Sequence, residues 1–141
     1  MPAVLVRWFE IMDSDVPDDV LGLLAEDFQF SVVFSTGDDT TARDFAGGRD
    51  AMVGYLEQRE KGTRVHRLLA TGASGETEFA LGEVIRLGEW EASFVASALL
   101  DGQGRLRRLI IGRSPGVAFP AGSDRRVQPR RARVAPAGVE P

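Results

Sequence analysis

The hydropathy pattern predicts an α+β domain in which three helices from the first half of the chain pack on the concave face of a curved antiparallel sheet. Three observations carry this. Apolar residues recur at helical spacing near the start and around residue 55, and they alternate with period two over the second half. Glycine-rich turns, too short for a parallel crossover, join the alternating segments.

Leu5, Trp8, Phe9 and Met12 share one helical face, so residues 3–13 form an amphipathic helix with an aromatic stripe turned inward. Asp15 caps a second helix. Pro17 suits its first turn, Asp18 and Asp19 complement the positive end of its dipole, and Val20, Leu23 and Leu24 form its buried side. From Phe28 the period becomes two: Phe30, Val32 and Phe34 alternate with Gln29, Ser31, Val33 and Ser35, which makes a strand with one aromatic face. Gly37, Asp38 and Asp39 turn the chain into a short polar edge strand at 40–45, which Gly47 and Gly48 end. A third helix starts near Asp50 and stops near Gly62, with Met52, Tyr55, Leu56 and Arg59 on one face. Four long strands follow as a meander, at 63–71, 76–87, 90–100 and 105–113. In the last two, both faces are apolar or small. Ala92, Phe94, Ala96 and Ala98 lie on one side, with Val95, Ser97 and Leu99 on the other, and that second face is expected to pair with another copy in a homodimer.

A length of 141 residues, 43% apolar and 27% charged, fits one soluble globular domain. With no cysteine and a single histidine, disulfide frameworks, thiolate zinc sites and multi-histidine metal centres within one chain are excluded, and no metal or cofactor is expected. No glycine-rich phosphate loop and no Gly-x-Ser-x-Gly motif occurs. The first apolar run meets Arg7 too soon for a signal peptide or a membrane span, so a cytoplasmic location is expected.

Charge divides the chain. Residues 1–113 hold 12 basic against 19 acidic side chains, whereas residues 114–141 hold five arginines, two acids and five of the seven prolines. The expected organisation is a domain at 1–114 and a disordered tail at 115–141. Its arginines, at 125, 126, 130, 131 and 133, have no aromatics among them to stack on bases, and the acidic body repels a phosphate backbone. They read as a solvated run, and nucleic acid is not an expected partner.

Three segments fall at equivalent places in a known architecture: Leu24-Ala25-Glu26-Asp27-Phe28, Phe45-Ala46-Gly47-Gly48-Arg49-Asp50-Ala51 and Leu100-Asp101-Gly102-Gln103-Gly104-Arg105-Leu106. Over residues 1 to about 114 the chain resembles the nuclear transport factor 2-like superfamily, the cone-shaped α+β fold of ketosteroid isomerase, scytalone dehydratase and the polyketide-cyclase-like proteins. The resemblance implies a conical cavity, frequent homodimers, and either cofactor-free isomerase, cyclase or dehydratase chemistry or simple binding. Ketosteroid isomerase itself uses a carboxylate base beside an oxyanion hole made by a tyrosine and a protonated Asp. By element position, the tyrosine falls at Trp8, the base at Val32 and the Asp at Ala96. Val32 takes no proton, so that chemistry is contradicted.

Two side chains stand out as candidate catalytic groups. His66 shares parity with Leu68 and Ala70, opposite Arg67, and on an inward face it serves as acid, base or donor, or else as a core histidine bonded to backbone. Glu83 shares parity with Phe79, Leu81 and Ile85, one carboxylate on an apolar face, with His66 or Arg59 as its expected partner. There it is a general base, an orienting acceptor or half of a structural ion pair. Trp8, Phe30, Val32, Tyr55, Arg59 and Phe94 are expected to line a pocket for a hydrophobic small molecule, although an aromatic stripe equally makes plain core. Arg43 and Asp44 flank the short strand, at the cavity mouth or in solvent. Three function classes follow: a small-molecule site, catalytic or not, a non-catalytic homodimerisation module with a filled core, and an anion-binding adaptor acting through the arginine tail.

Overall fold

The computed structural model describes residues 3–34, 43–59 and 62–119. The turn expected at 37–39, the first residues of the expected edge strand, the side chain of Arg43 and the arginines at 125–133 lie outside them.

Helix α1 (Ala3–Met12) buries Leu5, Trp8, Phe9 and Met12, the stripe its spacing predicts. At its N-terminal turn the buried Glu78, from a distant strand, accepts the Leu5 N–H at 2.7 Å, satisfying an orphan donor at the positive end of the dipole. The second helical segment (Pro17–Leu23) is 3-10 rather than α. It spans seven residues, with Gly22 near its end, and runs straight into extended backbone at Leu24, which leaves no length for an α-helical ladder.

Strand β1 (Leu24–Phe34) starts four residues earlier than the alternation indicates, because its first residue already pairs with Leu106 before a register shift ahead of Gln29. Strand β2 (Arg43–Gly47) returns antiparallel to it. Gly47 has φ of 150°, and a Cβ there would lie 2.4 Å from the Cβ of Ala51, so only glycine lets β2 enter helix α2 (Arg49–Gln58) this tightly. Arg49 then ties α2 to the sheet through the Leu24 carbonyl, at 3.1 Å. Strands β3 (Arg64–Ser74), β4 (Thr77–Arg86), β5 (Glu89–Leu100) and β6 (Leu106–Ser114) form the meander.

The sheet order is β2-β1-β6-β5-β4-β3, and one pairing departs from the antiparallel sheet expected: β1 and β6 are parallel. The cause is topological. Helix α2 carries the chain from β2 to the far edge, and the meander then walks back until β6 meets β1, arriving in the same direction. The sheet is mixed, and the α+β architecture stands. Its concave face and the helices enclose one apolar core, including Leu5, Trp8, Phe28, Phe94 and Leu109.

Past β6 the chain keeps contact with the sheet. At 115–119, where the tail was expected to begin, the Ser93 hydroxyl donates to the Val117 carbonyl at 2.5 Å, and Phe119 borders a groove with Val33, Leu81 and Val95. Among the described residues, no helix is long and apolar enough to cross a membrane.

Candidate functional site: a cationic cavity beneath the first helix

Side chains on alternating strand positions converge with α1 and α2 on a cavity of about 140 Å³. Trp8, Phe9 and Met12 of α1 form one wall, and Val32, Phe34 and Ile111 of β1 and β6 form the floor. Tyr55 and Arg59 enter from α2 and its end, while Arg64 and His66 enter from β3 and Arg113 from β6.

His66 is held on three sides. Asp13, the residue after α1, accepts the His66 backbone N–H with Oδ2 and meets its Nδ1 with Oδ1, both at 2.7 Å. A carboxylate only accepts, so Nδ1 carries a proton, and in the neutral ring Nε2 is the basic atom. The ring packs 5.0 Å from Phe9 and edge-on to Phe94 at 5.5 Å, centroid to centroid, which fixes its plane. No described residue hydrogen-bonds Nε2.

Three guanidinium groups line the same cavity. Glu91 takes Arg64 in a two-pronged pair, at 2.8 and 3.0 Å, and accepts from Arg113 Nη2 at 2.5 Å. A β-bulge puts it there: Val84 pairs with Ala92 and Ile85 with Trp90, so Glu91 is the extra residue whose side chain reaches the concave side. Burial raises the Glu91 carboxyl, but the hydrogen bond from Arg64 and the charges of Arg113 and Arg64 outweigh it and hold the group below its ordinary value. Burial pulls the Arg113 guanidinium below the usual arginine range despite the Glu91 charge beside it. Arg113 also lies over the Phe34 ring, at 5.8 Å, and its buried Nε has no acceptor among the described residues. Arg59 donates to the Met12 carbonyl at 3.2 Å and has no carboxylate partner among the described residues.

Of the side chains expected at a site, Trp8, Val32, Tyr55, Arg59 and His66 come together here. Phe30 and Phe94 stand behind the wall: Phe30 packs edge-on to Tyr55 at 5.9 Å, and Phe94 braces His66. The expected pairing of Glu83 with His66 or Arg59 does not form. In the β3–β4 register Arg67 faces Glu83 and His66 faces Val84, which puts the two candidates on opposite faces of the sheet. Glu83 is 1% exposed and pairs with Arg67 at 2.8 Å. The inward set on β4 is Glu78, Ala80, Gly82 and Val84, and the bulkier Phe79, Leu81 and Ile85 point to the convex side. Asp44 is exposed and accepts from Ser31, away from the cavity.

Asp13, Arg64, Glu91 and Arg113 were not anticipated. Two had a signal. Arg113 continues the parity of Leu109 and Ile111, and Asp13 sits at a helix C-terminus, where the dipole disfavours an acid unless another group holds it.

No family model matches the chain, and no curated protein does. Solved structures do. A candidate ketosteroid isomerase from Kribbella flavida superposes with a TM-score of 0.61 at 14% identity, over 89% of this chain and 86% of that one. A candidate isomerase of the SnoaL-like family from Agrobacterium tumefaciens gives 0.60 at 11%, over 79% and 94%. A candidate polyketide cyclase from Sinorhizobium meliloti gives 0.58 at 18%, over 79% and 94%. At such identities the likeness is one of fold, and the six-stranded curved sheet closed by its N-terminal helices is the nuclear transport factor 2-like fold.

Proposed function

We propose that the cavity binds a small, mostly apolar molecule and that His66 moves a proton on it, as in a cofactor-free isomerase, cyclase or dehydratase. The observation that carries this is the Asp13–His66 contact: a carboxylate on Nδ1 orients the ring, sets its tautomer and stabilises the imidazolium that forms when Nε2 takes a proton. Trp8, Val32 and Ile111 supply apolar wall, and the guanidinium groups that line the cavity favour negative charge developing on a substrate oxygen. The step balances within the pair. Nε2 removes a proton next to a carbonyl, the C–H electrons pass to the carbonyl oxygen as an enolate, and the imidazolium returns the proton at a second carbon.

The probe 3-cyclohexen-1-one tests this, because its conversion to the conjugated ketone is read by ultraviolet absorbance. Catalysis above buffer should fall about 10²-fold or more in His66→Gln and also fall in Asp13→Asn, which keeps the shape but not the charge. Equal rates in wild type and His66→Gln would remove His66 from the chemistry.

A second reading, self-association through the convex face, is favoured by one observation. Phe79, Val95 and Ile110 are 42%, 58% and 60% exposed on neighbouring strands. A homodimer that covers them is compatible with a working cavity or with a purely structural module.

A further inference from the structure

We propose that the ligand is a small organic anion, a carboxylate on a single ring, whose charged end is held by Arg59 and Arg113. This names the ligand class for the site above and rests on that reading only in taking the cavity as a binding site. Three arginines line the cavity, and among the described residues Glu91 and Asp13 are carboxylates bonded to its polar groups. Glu91 is shared by Arg64 and Arg113, and Asp13 is engaged by His66, so these described side chains together leave positive charge in excess.

That excess is local to Arg59 and Arg113. Arg59 spends one donor on a neutral carbonyl, and Arg113 keeps a buried Nε without an acceptor among the described residues. Both residues line the cavity, so a ligand carboxylate there would meet guanidinium groups. Guanidinium groups suit this task because their planar fork matches two carboxylate oxygens. The lowered pKa of Arg113 has the same origin, a cation removed from water with too little opposing charge. The contrast with the rest of the domain is sharp, since residues 1–113 carry an excess of acid.

Size and walls set the remainder of the ligand. An apolar cavity of roughly 150 Å³ accommodates one benzene ring, and this one measures about 140 Å³. Trp8, Phe9, Val32 and Ile111 offer the ring its contacts, leaving the carboxylate to the arginines.

Isothermal titration of the full chain with benzoate, benzamide and acetate tests the proposal. Benzoate should bind about tenfold or more tightly than benzamide, which has its shape without its charge, and acetate, the charge without the ring, should bind more weakly than benzoate. In Arg59→Gln and in Arg113→Gln the preference for benzoate over benzamide should shrink about tenfold. Should either variant fail to fold by circular dichroism, lysine at the same position tests the fork instead, because it keeps the charge and loses the planar pair of donors, so the benzoate preference should fall without vanishing. Equal affinities for benzoate and benzamide, no benzoate binding at millimolar concentration, or a preference untouched by the arginine changes would overturn it. His66→Gln separates the two readings. A benzoate preference that persists while no His66-dependent proton transfer is found sinks the chemistry alone, and transfer without the preference sinks the anion alone.

Discussion

Glu91 holds together the cationic side of the cavity, and its titration is visible in stability. Its three hydrogen bonds all come from charged donors, and its side chain is 22% exposed, so water screens the cluster only in part. Because the folded carboxyl lies below its ordinary value, the ionised form favours the folded state. That stabilisation is fully present above about pH 4.5, the reference value for the group, and is lost as pH falls through the lower folded pKa. Glu91→Gln should therefore cost about 1–3 kcal/mol at neutral pH, and the gap should narrow as pH falls from about 4.5 through the lower folded pKa. Urea unfolding at pH 7 and pH 3 checks it. A deficit of the same size at both would mean that packing, not charge, is what the substitution removes.

Strand β4 shows why some of the fold could be read from sequence while the site could be read only in part. At Gly82 a Cβ would lie 2.5 Å from the Cζ of Phe94 and 2.8 Å from the Arg67 carbonyl oxygen, so the missing side chain is the space in which the aromatic ring lies. Gly82→Ala should destabilise the protein by about 1–3 kcal/mol through overpacking. Because Phe94 braces His66, it should also lower any His66-dependent rate, and thermal melting with the cyclohexenone assay reads both. The same glycine misleads a parity argument. Small residues at 80 and 82 make the inward face look weaker than the outward one with Phe79, Leu81 and Ile85, which assigns Glu83 to the wrong side. Periodicity and turn chemistry depend on near neighbours, so α1, α2 and the four strands of the meander were legible to within a few residues. The Glu78 cap on α1, the Asp13 fork and the bulge at Glu91 join residues far apart in the chain, or depend on one register shift. No local pattern encodes them.

At the scale of the whole molecule, the two faces of the sheet divide the labour. The concave face holds the core and the cavity. On the convex face, Leu81 sits beside Val95 and Gly112 in one row, while Phe79, Ser97 and Ile110 form the next. The expected dimer face of Val95, Ser97 and Leu99 thus shifts towards the sheet centre, since Leu99 pairs with Arg108 and Thr77 near a charged border. A contiguous apolar patch of this kind is uncommon on a monomer left in water, and a two-fold pairing would cover it with its own copy. The net charge of -4 opposes association only weakly at physiological salt, where exposed charges are screened beyond roughly 8 Å. Sedimentation velocity of the full chain at micromolar concentration should therefore show a dimer. Val95→Asp and Ile110→Asp should each give a monomer with nearly unchanged melting temperature, because both side chains are exposed in the single chain and their loss creates no cavity. A wild-type monomer would remove the dimer. A dimer that survives both substitutions would place the contact elsewhere, with the outer edge of β3 the next surface to test, since that strand ends the sheet with its far side unpaired among the described residues.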